Sequence, residues 1–335
     1  MELKISIIVP VYNRPEEIRE LLESLCLQTF EKDFEIVIVE DGSSESSEGI
    51  VGKFQPKLQI SYYFKPNSGP GDSRNFGMQK AKGNYFIILD SDCILPKQYL
   101  SEVEKELKND FVHCFGGPDA ADESFTTVQK AINYAMTSFF TTGGIRGGDK
   151  SVGKFQPRSF NMGISKEAFE KVGGFGRIHP GEDPDLTFRI WEAGYSSRLF
   201  PKAFVYHKRR IDWNKFYIQV NKFGMVRPIL NKWHPGTAKI TYWFPTVFIL
   251  GLVLSLFLLA AGYSLPIQLF FAYFFMLFVD ALAKTKKMKV AFLAIFAAII
   301  QFTGYGIGFF KSTMLLTFSK KEPEQLFPKL FFKKR

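Results

Sequence analysis

The chain has 335 residues, 46% of them hydrophobic and 23% charged, with a net charge of +10. That is enough for one large or two ordinary domains with a sizeable core. Its three cysteines, Cys26, Cys93 and Cys114, stand far apart, which excludes a disulfide framework or a zinc site and suits a reducing compartment. No helix-turn-helix, zinc or RNA-binding signature accompanies the basic excess, so nucleic acid is not an expected partner.

The first 115 residues alternate as parallel α/β units do. "ISIIVPVY" reads as a buried strand; it is too short, and too interrupted by Pro10, to be a signal peptide. "PEEIRELLESLCLQ" reads as an amphipathic helix with Pro15 in its first turn. "FEIVIVEDGSS" is a second strand, followed by a short helix and by "LQISYYF" as a third. "GPGDSRNFGMQKA" opens a further helix, and "NYFIILDSD" is the fourth strand. Right-handed crossovers then give a mostly parallel sheet covered on both faces. Ligands of such sheets bind beyond the carboxyl ends of the strands. Residues 116–210 are less regular and glycine-bearing, as in "TTGGIRGGDK", and read as a substrate-binding half.

Apolarity is concentrated late. No charge falls between Ile240 and Val279, or between Val290 and Phe310. A bilayer-spanning helix needs roughly 20 apolar residues, so spans are expected at about 241–262, 265–283 and 290–310. The basic and aromatic stretch 211–239 suits an amphipathic helix at the membrane interface. "HKRR" (207–210), "KTKKMK" (284–289) and "KLFFKKR" (329–335) flank these runs, as cytoplasmic basic clusters meeting anionic lipid do. Three full crossings would put the basic tail, 311–335, outside; re-entry at "GYGIG" (304–308) would keep it inside.

The chemistry is carried by acids at strand tips. Asp90 and Asp92, just past an apolar strand, offer hard oxygens for Mg²⁺ or Mn²⁺, although such a pair can also merely cap a turn. Glu40 and Asp41 end the second strand, in position for a nucleobase or ribose, or for an ordinary Asp-Gly turn. Arg74 can meet phosphate or hold an acid in place. Glu182 and Asp183 are expected just before a helix, projecting into a cleft where one serves as general base, with Asp185 as a first-turn or capping residue. His207 follows a short apolar strand and can complete a metal site.

In order, "VPVYNRPEEIRELLESLCLQT", "VEDGSS", "GPGDSRNFGMQKAKGNYFIILDSDC", "FNMGISKEAFEKVGGF" and "GEDPDLTFRIWEAGY" resemble glycosyltransferase family 2, over residues 4 to about 210. The resemblance implies a GT-A nucleotide-sugar-binding domain over 1–210, with halves at 1–115 and 116–210. An interface helix region follows at 211–239, then membrane segments over 240–310. It also implies that Pro10, Tyr12, Glu40 and Asp41 line the nucleotide site, with Arg74 before the metal strand. Asp90 and Asp92 would be the metal pair, His207 a further metal-side residue, Asp183 the catalytic base and Glu182 its neighbour.

The function implied is an inverting, metal-dependent transfer of a sugar, from a UDP-sugar by preference, to a hydroxyl of a membrane or lipid-linked acceptor in glycan or polysaccharide biosynthesis. The expected place is the inner cell membrane, with the catalytic domain on its cytoplasmic face. The synthases of the family that build polymers carry Gln-x-x-Arg-Trp on the interface helix. Here Gln219, Lys222 and Phe223 hold that spacing with both later types changed, and two or three spans are too few to enclose a polymer channel, which together favour single transfer. A polyprenyl-phosphate sugar synthase and a membrane-tethered nucleotide-sugar-binding pseudoenzyme are the alternatives.

Overall fold

The computed structural model describes residues 2–120, 125–143, 155–207 and 212–332. Most of "TTGGIRGGDK", all of "HKRR" after His207, and the last three residues of "KLFFKKR" lie outside them. In chain order the elements are β1 (Ile5–Val11), α1 (Pro15–Cys26), β2 (Phe34–Asp41), α2 (Glu48–Phe54), β3 (Gln59–Lys65), α3 (Pro70–Lys80), β4 (Tyr85–Leu89), β5 (Cys93–Ile94), α4 (Tyr99–Asn109), β6 (Cys114–Gly116) and β7 (Asp119–Ala120). Then come α5 (Thr127–Thr137), α6 (Phe139–Thr142), β8 (Asn161–Ser165), α7 (Lys166–Val172), α8 (Glu182–Glu192), β9 (Ser197–Leu199) and β10 (Val205–His207). The chain continues through α9 (Trp213–Trp233), α10 (Phe244–Ala260), α11 (Leu265–Thr285) and α12 (Met288–Phe318).

Two compact units result. One holds 1–122, 153–208 and 331–335; the other holds 123–152 and 209–330. The helices α5 and α6 group with the C-terminal helices.

The α/β unit is built on a seven-stranded sheet in the order β3-β2-β1-β4-β8-β6-β9. Strands β1 to β4 pair in parallel, and β8 runs antiparallel between β4 and β6. The central strands are apolar run-on because both faces are covered. Ile7, Val9, Ile36 and Ile87 pack with Leu21, Leu25 and Val103 on one side, while Ile8, Val37, Val39 and Ile88 pack with Met78, Phe169 and Leu186 on the other. A second, three-stranded sheet, β5-β10-β7, places His207 directly opposite Cys93. The tail returns to this unit: Phe331 bridges Ile178, and the Phe332 amide donates to the Arg177 carbonyl at 3.1 Å.

In the helical unit, Ile132, Ala135 and Met136 of α5 share a core with Phe216, Val220 and Ala297. Among the described residues, three helical stretches are long and apolar enough to cross a membrane: Ile240–Ala260, Leu265–Thr285 and Met288–Phe318. The glycines of 304–308 do not break α12, which runs unbroken through them. They let another helix close in instead. A Cβ at Gly308 would sit 2.3 Å from the Asn221 carbonyl oxygen, and one at Gly224 would sit 2.2 Å from that of Tyr305. The backbones of α9 and α12 meet where side chains are missing.

Candidate functional site

At the tip of β2 the two carboxylates are already spent. Glu40 is fully buried; its oxygens accept from the Ser47 amide at 2.9 Å, the Ser47 hydroxyl at 2.5 Å, Tyr62 at 3.1 Å and Ser43. Asp41 accepts from Lys65 at 2.5 Å, the Ser68 and Gly69 amides at 2.9 Å each, and Asn67 at 3.3 Å. A carboxylate has about four acceptor positions. Both side chains therefore hold the loops after β2 and β3, and a nucleobase N–H would reach Asp41 only by displacing one of its donors.

Across the same sheet edge, Pro10 lies on the end of β1 and Tyr12 follows it, 53% exposed. Asn13, with φ of 53°, ties this loop to the next: its side-chain oxygen accepts from the amides of Ser44 at 2.8 Å and Glu45 at 3.1 Å. Asparagine tolerates this left-handed backbone better than most residues.

The tip of β4 differs. Asp92 receives Arg14 Nη1 at 2.7 Å and lies 3.1 Å from His207 Nε2. Burial pushes its carboxyl up, but the hydrogen bond and charge of His207, and then Arg14, outweigh burial and hold it below the usual value. The antiparallel pairing of β10 with β5 brings His207 here, and its ring stacks on Phe160 at 5.1 Å. Asp90 accepts from Arg74 Nη2 at 2.8 Å through one oxygen, and its side chain keeps 31% exposure.

Arg74, on α3, is buried and bridges Asp90 to Glu182 Oε1, 3.4 Å away. Burial works against its charge, but Asp90, Asp183 and Glu182 together raise its affinity for the proton. Glu182 also receives His179 Nδ1 at 2.9 Å. Burial raises the Glu182 carboxyl, yet His179 and Arg74 prevail and lower it. Asp183 goes the other way: burial and the adjacent Glu182 raise it against the pull of Arg74, Arg158 and Ser159. Its Oδ1 is buried and has no hydrogen-bond partner.

Glu182 and Asp183 were expected before the helix; they form its first turn instead, because Gly181 takes the N-cap position at φ 120°. Asp185 does lie in the first turn, where Arg189 holds it through Nε at 3.1 Å and Nη2 at 2.8 Å.

The donor set suits a hard divalent cation: two carboxylates, held by Arg74 on Asp90 and by Arg14 on Asp92, beside an imidazole. Ligand atoms of Asp92, Cys93 and His207 lie within 4.8 Å of one another. Cys93 is the odd member. Burial pushes its thiol well above the usual value, and its Sγ bonds the Phe160 carbonyl at 3.4 Å. It stays a protonated core residue, no ligand for a hard ion.

Thus Arg74, Asp90, Glu182 and Asp183 form one charged cluster and Arg14, Asp92 and His207 a second at the same strand tip, whereas Glu40 and Asp41 serve the loops. Sequence reasoning missed Arg14, Asn13 and His179. All three were signalled: "YNRP" follows β1 at its carboxyl end, and His179 stands three residues before Glu182.

The model for "Glycosyl transferase family 2" matches residues 6–173, half of the chain. Among curated relatives, a probable glycosyltransferase, YdaM, of Bacillus subtilis is 27% identical over 66% of this chain and 54% of its own length. The poly(ribitol-phosphate) beta-N-acetylglucosaminyltransferase TarS of Staphylococcus aureus is 39% identical over 30% of this chain and 18% of its own. An uncharacterized glycosyltransferase of Rickettsia felis is 38% identical over 32% of this chain and 17% of its own. The chain therefore spans only part of each of these relatives.

Among solved structures, the mannosyltransferase PcManGT of Pyrobaculum calidifontis, in complex with GDP-Man and Mn²⁺, superposes with a TM-score of 0.58 at 16% identity, covering 96% of this chain and 89% of that one. S. aureus TarS 1–349 gives 0.52 at 20% identity, with 93% and 92% covered. These likenesses establish the shared GT-A fold.

Proposed function

The chain belongs to glycosyl transferase family 2, and from that premise we propose that it is an inverting, divalent-metal-dependent glycosyltransferase. It would move a sugar from a nucleotide-sugar, a UDP-sugar by preference, to a hydroxyl of a membrane or lipid-linked acceptor in glycan assembly. One observation carries the reading. Asp183 alone in the acidic network keeps a buried oxygen without a partner, and its surroundings favour the proton. That is how a general base is prepared.

Asp183 takes the proton of the acceptor hydroxyl as that oxygen attacks the anomeric carbon. Attack on the face opposite the leaving diphosphate inverts the centre. Glu182, drawn to Arg74 and His179, stays charged beside Asp183 and keeps it a strong acceptor. Arg74 fixes Asp90 and Glu182 in one frame. Asp92 and Asp90, with His207, would hold Mg²⁺ or Mn²⁺, whose part is to neutralise the charge that develops on the departing diphosphate. Pro10 and Tyr12 would form the wall of the nucleoside pocket, while Glu40 and Asp41 set its loops. The titles of relatives support the donor class: TarS was crystallised with UDP-GlcNAc and PcManGT with GDP-Man and Mn²⁺.

Three helices of spanning length and apolarity support attachment to a membrane, taken to be the cell membrane with the catalytic unit on its cytoplasmic face. The test is nucleotide release by detergent-purified protein with UDP-, GDP- and dTDP-sugars, Mn²⁺ or Mg²⁺ and a lipid extract. Metal-dependent turnover of one donor, lost in Asp183→Asn and Asp92→Asn, is expected. Donor binding without turnover under every acceptor would favour a pseudoenzyme. Turnover surviving Asp183→Asn would favour a polyprenyl-phosphate acceptor, which needs no base.

A further inference from the structure

The parallel pair α9 and α12 stays in one register over several turns. Asn221 Nδ2 donates to the Gly304 carbonyl at 2.9 Å, Gly224 meets Tyr305 and Phe309, and Gly308 meets Asn221 and Met225. Following these rows one turn onward, the stripe Val220–Gly224 leads to Arg227 and Asn231. The rows Gly304–Gly308 and Tyr305–Phe309 lead to Ser312 and Thr313. Close packing at the glycines thus gives way, one turn on, to polar residues on the continuing rows of both helices.

None of the four is satisfied. Arg227 Nη1, Ser312 Oγ, Thr313 Oγ1 and Asn231 Oδ1 are buried and have no hydrogen-bond partner, and Ser312 is fully buried. Among the described residues Arg227 has no ion pair; its guanidinium lies 4.7 Å from the centre of the Tyr242 ring. Helical serines and threonines ordinarily bond back to the preceding turn. Thr317 does so, to the Thr313 carbonyl at 2.8 Å, while Ser312 and Thr313 do not.

A guanidinium never gives up its proton, and a buried charge without a counter-ion is costly. Arg227 can only donate and each hydroxyl has a proton to donate, so one acceptor with several oxygens would serve all three. The Asn231 amide joins them when turned to present its Nδ2. Tyr242 fixes the depth. It stands in the first residues of the apolar stretch Ile240–Ala260, where aromatic rings sit at headgroup level.

We propose that Arg227, Ser312, Thr313 and Asn231 form a phosphate-binding site at the membrane interface, taking the phosphate of a membrane-resident lipid. The guanidinium matches two phosphate oxygens at once, the hydroxyls hold a third, and Tyr242 backs the cation from the apolar side. The site is separate from the acidic network and does not depend on the transfer reading.

The experiment uses the whole chain in a neutral detergent and reads thermal stabilisation against lipid concentration. The probes are phosphatidylglycerol, a polyprenyl monophosphate, diacylglycerol and inorganic phosphate. The two phospholipids should stabilise the protein saturably, and diacylglycerol should not. Arg227→Gln should weaken that binding about tenfold, and Arg227→Lys should restore it only in part, because a lysine keeps the charge but not the two-oxygen grip. If Arg227→Gln does not fold, the Ser312→Ala, Thr313→Val pair decides, with a several-fold loss expected. Unchanged lipid affinity in the variants that fold, or equal stabilisation by diacylglycerol, overturns the proposal. Inorganic phosphate binding as tightly as either lipid overturns the lipid source. No turnover is measured, so either result leaves the catalytic reading where it stands.

Discussion

Glu40 and Asp41 at the end of β2 and Asp90 and Asp92 beyond β4 are the same motif to the eye, two acids closing an apolar strand, yet the protein uses them in opposite ways. The first pair is roofed by serines, Tyr62, Lys65 and backbone amides until its acceptor positions are filled. The second pair is held from one side by Arg74, Arg14 and His207, with Asp90 still partly open. An acid at a strand tip thus declares chemistry only if its own loops leave it acceptor capacity. By that measure Asp183, with an oxygen that nothing claims, is the most available of all.

The sharpest way to break this comparison is Asp183→Asn. Transfer should fall about 10²–10⁴-fold with donor binding retained, read as product formation beside nucleotide affinity. A variant as active as the parent would remove the distinction. Asp41→Asn should do the reverse. It leaves buried Lys65 with only the half-exposed Asp72, 3.2 Å away, as counter-ion, at a cost of up to about 3–5 kcal/mol in chemical or thermal unfolding, with any loss of turnover following from loss of fold. Glu40→Gln should cost less, about 1–3 kcal/mol, because amide and hydroxyl donors rather than a cation are left short.

The neighbours Glu182 and Asp183 should then separate by pH. The folded Glu182 carboxyl is lowered, so it contributes stability above its unfolded value of 4.5 that is lost as pH falls through the folded one. The folded Asp183 carboxyl is raised above 3.8, so its ionisation costs stability as pH rises through its folded value. Unfolding across the acid range should show Glu182→Gln destabilised and Asp183→Asn stabilised toward neutrality. The acid limb of activity should lie above the usual aspartate value. The smallest effect belongs to Arg14→Ala: Arg14 is 45% exposed, so stability should change by no more than about 1 kcal/mol, while the metal concentration needed for activity shifts.

The α/β half was legible because its signals are local. Strands buried on both faces read as continuous apolar runs, and strand, helix, strand leaves few topologies. The network acids were legible because charge at a strand end is unusual. What could not be read was which acids the loops would consume. That depends on where Ser47, Lys65 and the Ser68 amide arrive from other elements, and no spacing along β2 reports it. The glycines of 304–308 misled for a related reason. Glycine marks a break and a close approach alike, and only the partner helix α9 decides which.

The return of Phe331 to Ile178 has a consequence for the membrane. Phe331 and Phe332 belong to the same α/β unit as the residues up to His207, and a folded α/β unit does not straddle a bilayer. A chain that leaves this unit before α9 and returns to it after α12 is expected to cross a bilayer an even number of times. Helices α10 and α11, each with 17% of its apolar window buried in protein, are the natural hairpin, whereas α12, at 44%, is sheathed by other helices. An even count predicts the Lys284–Lys289 cluster on the face of the catalytic unit and the Gly262 turn on the other. A single cysteine placed at each, challenged with an impermeant thiol reagent in sealed vesicles, would read the parity directly.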